Sequence, residues 1–158
     1  MPEQPIPKKK RRLSTDELEA WKAFLRASQR VTLELDRDAE ASGALLHTEH
    51  VTLITVAEAP EYGIRPMDLA ELTSLTKSGL TRVLDRLERQ GLIERRVCPS
   101  DGRGQLIVIT AKGRRALRRA APVHFRSVAA HFADLISPRE LEVLTTAMRR
   151  VAEGAPAH

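Results

Sequence analysis

Residues 66–113 read PMDLAELTSLTKSGLTRVLDRLERQGLIERRVCPSDGRGQLIVITAKG, and the punctuation inside them decides the fold. Pro66 suits the first position of a helix, where a missing N–H costs nothing, and the pattern predicts a short helix to about Thr73. Thr76 offers a hydroxyl to cap the next helix, and Gly91 can take the left-handed conformation that ends one. Between them Leu80, Val83, Leu84 and Leu87 fall on one face, while Lys77, Ser78, Thr81, Arg82 and Arg86 fall on the other. Residues 92–97 and 105–109 are rich in β-branched side chains and short enough for strands, with Pro99 to Gly104 as the loop between them. A helix sized for the DNA major groove, followed by a basic hairpin, is the layout of a nucleic-acid reader.

Working outward, residues 1–13 hold three prolines and the run KKKRR and are expected to form a disordered basic arm. A long helix is predicted from the Ser14–Glu17 capping box to about Ala41, where Ser42-Gly43 stops it. Leu18, Trp21, Leu25, Thr32 and Leu35 recur along it at helical spacing, with Phe24 and Val31 widening the stripe. A second helix is expected from Thr48, as its cap, to Ala59. After the hairpin, Thr110 caps a fifth helix whose first turns hold Lys112, Arg114, Arg115, Arg118 and Arg119, and which Pro122 is expected to kink or interrupt. Ser137, Pro138 and Glu140 open a sixth helix carrying Leu141, Leu144, Met148 and Val151. The first and last helices have apolar stripes with nothing of their own to bury them in. They are therefore expected to form a helical dimer interface, and a two-fold dimer would read a pseudo-palindromic site as two half-sites.

At 158 residues and 42% apolar composition, the chain is expected to be one domain or one compact subunit of an oligomer. Only 3% is aromatic, which argues for an aliphatic core and against stacking on single-stranded bases. No apolar run approaches the roughly 20 residues that span a bilayer, so no membrane partner is expected. The amino terminus is charged without the apolar stretch of a secretory signal, and a lone cysteine, Cys98, forms no internal disulfide; a cytoplasmic location is the expectation. The net charge of +5 is strongly segregated. Residues 13–76 carry five basic and twelve acidic groups, whereas residues 77–119 carry twelve basic and four acidic. Positive charge is thus gathered on the helix, the hairpin and the helix that follows, as suits a polyanion meeting one face.

At these residues the sequence resembles the MarR family of bacterial winged helix-turn-helix transcriptional regulators. The likeness runs through LAELTSLTKSGLTRVLDRLERQGLIERR, the tip SDGRGQ with its Asp-x-Arg, and the junction LIVITAKG, and extends more weakly over most of residues 14–152. It implies a mainly α (α+β) fold: a winged helix-turn-helix module over residues 47–110 with a two-stranded wing, flanked by dimerisation helices over 14–46 and 111–153, all within a single subunit spanning 14–158. It also implies a homodimer that binds double-stranded DNA, commonly as a repressor released by a small aromatic or phenolic ligand. By that resemblance Ser78, Gly79, Thr81, Arg82 and Arg86, with Lys77 on the same face, belong to the major-groove surface. Arg103 matches a wing arginine that enters the adjacent minor groove, with Asp101 holding it in place. The chemistry agrees: Arg reads guanine O6/N7 in a bidentate way, a narrow minor groove attracts an inserted Arg, and amides near a helix start, such as those of Ser78 and Gly79, can approach phosphate. Against a groove role for the later arginines, Asp85 precedes Arg89 by four, the spacing of a surface ion pair.

Other signals have plainer readings. His47, Glu49 and His50 cluster near the start of the second helix, with His124 and His131 downstream, but two further convergent ligands cannot be placed, so no metal is expected. Trp21, His47 and His50 are candidates to line a cleft between the dimer helices and the reading module, with core packing the simpler role for Trp21. Cys98, at a strand end, is expected to be a small packed residue rather than a redox sensor. No phosphate-binding glycine loop, nucleophile elbow, CxxC or HExxH is present, so neither catalysis nor a cofactor is expected. Two other classes remain as alternatives: a nonspecific architectural DNA binder, and a helical protein-interaction adaptor.

Overall fold

The computed structural model describes residues 12–98 and 101–154, with the backbone alone for Cys98 and residues 101–103. All of the expected basic arm except Arg12 and Leu13 lies outside the described residues. Their order is α1 (Thr15–Ser42), α2 (His47–Glu58), α3 (Pro66–Thr73), α4 (Lys77–Arg89), β1 (Ile93–Cys98), β2 (Asp101–Ile109), α5 (Ala111–His131) and α6 (Pro138–Glu153), with a 3-10 turn at Ala133–Leu135 before α6. The described residues from 31 onward pack as one compact unit, and those up to 30, the first part of α1 among them, form another.

The core of the larger unit sits where the sequence pattern puts it. Leu53 and Val56 of α2, Leu69 of α3, and Leu80, Leu84 and Leu87 of α4 meet Ile93 of β1 and Ile107 of β2. Leu53, Leu69, Leu87 and Ile107 are wholly buried. Each such aliphatic side chain contributes roughly 1.5–3 kcal/mol by leaving water, so α4 is fixed by its leucine face. The two strands pair antiparallel from Ile93↔Ile109 to Arg96↔Leu106, with an irregularity between Val97 and Cys98 near the tip. Ile64, ahead of α3, adds a bridge to Ile107: its N–H donates to the Ile107 carbonyl at 3.0 Å and its carbonyl accepts the Ile107 N–H at 2.8 Å.

Two expectations are corrected. The second helix begins at His47, not after Thr48, and the residue before it, Leu46, has no side-chain oxygen. Acidic side chains do the capping instead: the His47 N–H donates to Asp36 Oδ1 of α1 at 2.7 Å, and the Leu46 N–H donates to Glu49 Oε2, three residues on, at 3.0 Å. Pro122 does not interrupt the fifth helix, which runs unbroken from Ala111 to His131. Pro122 lacks the N–H that would pair with Arg118, but both residues are exposed, so the orphaned carbonyl can turn to water.

Candidate nucleic-acid interface

The first turn of α4 is shaped by its cap. Thr76 Oγ1 accepts the Gly79 N–H at 3.1 Å, Ser78 Oγ lies 3.3 Å from Thr76 Oγ1, and the Thr81 hydroxyl donates to the Lys77 carbonyl at 2.9 Å. Helix geometry leaves the amides of Lys77 and Ser78 without an intrahelical partner, in the positive end of the helix dipole. The Gly79 amide, expected to face phosphate, is instead spent on the cap. Lys77, Ser78, Thr81 and Arg82 are exposed, and among the described residues neither Lys77 nor Arg82 has an ion-pair partner.

The last turns of α4 are tied to α2, β1 and α5. Arg86 Nε lies 2.7 Å from Glu49 Oε1, a carboxylate side chain only 4% exposed. Arg86 keeps 52% of its side-chain exposure, yet its Nε sits against α2 in an ion pair that lacks hydrogen-bond geometry, since Glu49 Oε1 accepts no hydrogen bond among the described residues. The expected Asp85–Arg89 ion pair does not form. The Asp85 carboxylate pairs with Arg95 of β1, which Glu88 also approaches at 3.2 Å, and Arg89 donates to the Asp85 backbone carbonyl. Beyond the helix, Gly91 adopts a φ of 69°, and the Thr110 hydroxyl donates to the Gly91 carbonyl at 2.7 Å while accepting the Gly113 N–H at 3.0 Å. Lys112 Nζ donates to the Gln90 carbonyl at 2.7 Å. A Cβ at Gly113 would lie 2.1 Å from the Leu92 carbonyl oxygen, so only glycine lets α5 begin this close to the end of α4. The Ile-Thr-x-x-Gly junction is therefore a clamp on the far end of α4.

The wing is present as the β1–β2 hairpin, and Asp101 and Arg103 lie in β2, with side chains outside the described residues. The histidines gather as a stack. His50 and His124 rings lie 4.1 Å apart and 12° from parallel, and His47 and His124 lie 5.9 Å apart. Burial, then the nearby His124 and His47, pushes the His50 pKa down to about 4, and burial lowers that of His124. Asp38 accepts from the Ser127 hydroxyl at 2.6 Å and meets His131 Nε2 at 3.1 Å; the Ser127 bond, chiefly, holds its pKa below the usual carboxylate value. Parallel rings do not converge their nitrogens, and Glu49 is committed to Arg86. Among the described residues no group of three or more His, Cys, Asp or Glu is placed to hold a metal ion.

A cavity of about 720 Å³ opens between α2, the end of α4 and α5. Leu45, Leu46, Leu92 and Val123 give it apolar walls, and Glu49, Arg86, Lys112 and Arg119 give it charged ones. His50 is not among its lining residues, and His47 lines a smaller neighbouring void. Trp21 is 52% exposed and stacks on Phe24 at 5.9 Å, rather than packing into a core.

A sequence profile of the MarR family matches residues 45–104, from the cap of α2 into the wing. A MarR family transcriptional regulator from Streptomyces coelicolor, solved in complex with DNA, superposes with a TM-score of 0.84 at 33% identity, over 94% of this chain and 93% of that one. Transcriptional regulator HosA from Escherichia coli is 30% identical over 107 residues, 68% of this chain and 77% of its own length. The chain belongs to the MarR family. An uncharacterized HTH-type transcriptional regulator from Bacillus cereus is 34% identical over 85 residues, 54% of this chain, and the match spans 56% of that relative's length. The MarR family is one of transcriptional regulators, not of enzymes, and this MarR-family chain has its two-stranded antiparallel wing and mostly helical architecture. Sequence reasoning missed the Glu49–Arg86 and Asp36–His47 contacts, because neither pair lies within helical spacing.

Proposed function

We propose that this chain is a homodimeric, sequence-specific reader of double-stranded DNA that represses transcription in the cytoplasm and lets go of DNA when a small organic ligand binds. The observation that carries the reading is the open amino-terminal end of α4. Lys77, Ser78, Thr81 and Arg82 are exposed on a helix whose opposite face, Leu80, Leu84 and Leu87, is locked in the core. In the major groove Arg82 would read a guanine edge, Lys77 and the first-turn amides would meet phosphate, and Ser78 and Thr81 would complete the surface. The Glu49 contact gives Arg86 a lesser share in that surface. The wing's Arg103, oriented by Asp101, would enter the neighbouring minor groove. A dimer seated across a promoter excludes polymerase by bulk, which makes repression the natural outcome of binding.

Unsatisfied apolar surface supports the homodimer. In the smaller unit Leu18, Trp21 and Phe24 are exposed; in the larger, Phe125, Leu135, Val143 and Val151 are, and α6 has no buried residue. A second copy would cover such faces, and its two-fold symmetry would set two α4 helices against two half-sites. The cavity's volume lies within the range of small-molecule sites. Selection of bound duplexes from a random pool tests the reading. The expected product is an inverted repeat, bound by a species near twice 17.6 kDa in sedimentation. Leu144→Asp should dissociate or unfold that species. A pool that shows no enrichment, or a stable DNA-binding monomer after Leu144→Asp, would contradict it.

A further inference from the structure

A groove of about 280 Å³ is lined by Thr48 and Glu49 of α2 and by Arg82, Arg86 and Arg89 of α4. The three arginines stand at i, i+4 and i+7, so they share one face of the helix. Like charges at these spacings repel, and a helix left to itself is destabilised by them. Among the described residues the only acid of the lining is Glu49, which pairs with Arg86. Arg82 and Arg89 have no ion-pair partner there. Two details leave donors open in this groove. The Thr48 hydroxyl, expected to cap α2, has no partner among the described residues, since Leu46 occupies the cap position. Arg89 donates its Nε to the Asp85 carbonyl at 3.2 Å, which braces the side chain and leaves its two terminal nitrogens uncommitted.

We propose that this groove seats one phosphate of the DNA backbone, held by the Arg89 guanidinium and the Thr48 hydroxyl, to the side of the base edge that Arg82 meets. The proposal rests on reading the chain as a DNA binder and adds two residues, one of them on α2, to its contact surface. Seven residues separate Arg82 from Arg89, about 10 Å along the helix axis. The major groove is about 12 Å wide, so a helix with Arg82 at the base edges would have Arg89 at the wall, where the phosphates stand. A guanidinium fork and a hydroxyl suit the oxygens of one phosphate, and such a contact fixes register without carrying base information. Arg86 has a different task between them. It neutralises Glu49, which would otherwise set a carboxylate against the incoming phosphate.

The test uses the full chain with a labelled duplex carrying its selected site and a scrambled one. Affinity is read by fluorescence anisotropy across a salt series, and folding by circular dichroism. Arg89→Gln should weaken both duplexes alike, about fivefold, and lower the slope of log affinity against log salt by about 2 for a dimer, one phosphate per subunit. Arg89→Lys keeps the charge and should keep the slope. Thr48→Val loses a hydrogen bond but no charge, and should weaken both duplexes about threefold at unchanged slope. A single methylphosphonate, a neutral stand-in for phosphate, is then moved along each strand. One position per half-site should weaken the wild type and weaken Arg89→Gln or Thr48→Val much less. Pyrophosphate, matched to chloride in ionic strength, should act equally on the wild type and on Arg89→Gln. Release by pyrophosphate that Arg89→Gln abolishes would give the groove to a free phosphate and overturn the proposal. An unchanged slope in a folded Arg89→Gln would overturn it too, as would a loss confined to the selected duplex, which would make Arg89 a base contact. Should Arg89→Gln fail to fold, the methylphosphonate scan of the wild type against Thr48→Val still decides. A wild type that binds no duplex at low salt ends the regulator reading and this proposal together; one that binds and gives any of the contrary results ends this proposal alone.

Discussion

The two ends of α4 carry the same kind of side chain and use it differently. At the amino end Lys77 and Arg82 stand in solvent without an ion pair among the described residues, on a first turn capped by Thr76 and anchored by Leu80. At the carboxyl end Arg86 is held by Glu49, Asp85 by Arg95, Gln90 by Lys112 and Gly91 by Thr110. One end is left free to meet a partner and the other is fastened to three different elements. A surface that reads DNA has to be held without being covered, and the proposed role of α4 asks for that division along its length. The lesson is that a basic residue's role is set by which acids the fold brings within reach, which residue type and helical face alone do not reveal.

Substitutions at the fastened end should cost most. Gly113→Ala puts a Cβ into the Leu92 carbonyl, a backbone atom that cannot swing aside, and should destabilise the fold by about 3 kcal/mol in denaturant titration. A near-neutral result would show that α5 is not clamped onto the end of α4. Next comes the histidine stack behind α2. His50 titrates near 4 when folded and near 6.5 when unfolded, so between those values the unfolded chain binds the extra proton. Stability is then complete above about pH 6.5 and declines as pH falls toward 4, by about 2 kcal/mol, and His50→Phe should flatten that stretch of the melting-temperature profile. At the open end Thr76→Ala removes one cap bond and should cost about 1 kcal/mol. Least of all, Asp85→Asn breaks an exposed pair with Arg95 and should cost less than about 1 kcal/mol. If Thr76→Ala cost more than Gly113→Ala, the contrast between the ends would be reversed.

Much of this was legible beforehand, and what was legible was local. Thr76, Thr110 and Ser137 were readable as caps because each accepts an N–H three residues on. The leucine stripe of α4 was readable because helical periodicity selects one face, and the Asp-x-Arg tip with its Ile-Thr-x-x-Gly junction pointed to the family. The start of α2 was misplaced because its amide is satisfied by Asp36, 11 residues earlier, an acceptor that no spacing rule marks. Arg86 resembled a groove residue because Glu49 is distant in sequence and only the packing of α2 on α4 brings them together. Gly79 was assigned to phosphate for its place near the helix start, yet its amide is the one the cap consumes. Pro122 predicts a kink or an interruption of α5, and no interruption occurs because proline removes one bond at a site where water can replace it.

The exposed end of α4 is tested most directly by the affinity of the full chain for its selected duplex and for a scrambled one, measured across a salt series for the wild type and Arg82→Ala. Arg82→Ala should weaken the selected duplex by about 1–3 kcal/mol and the scrambled one by much less, while the wild type shows a steep fall of log affinity with log salt. Equal losses on both duplexes would make α4 a nonspecific polyanion surface. Absence of wild-type binding at low salt would contradict a DNA-reading role for it altogether.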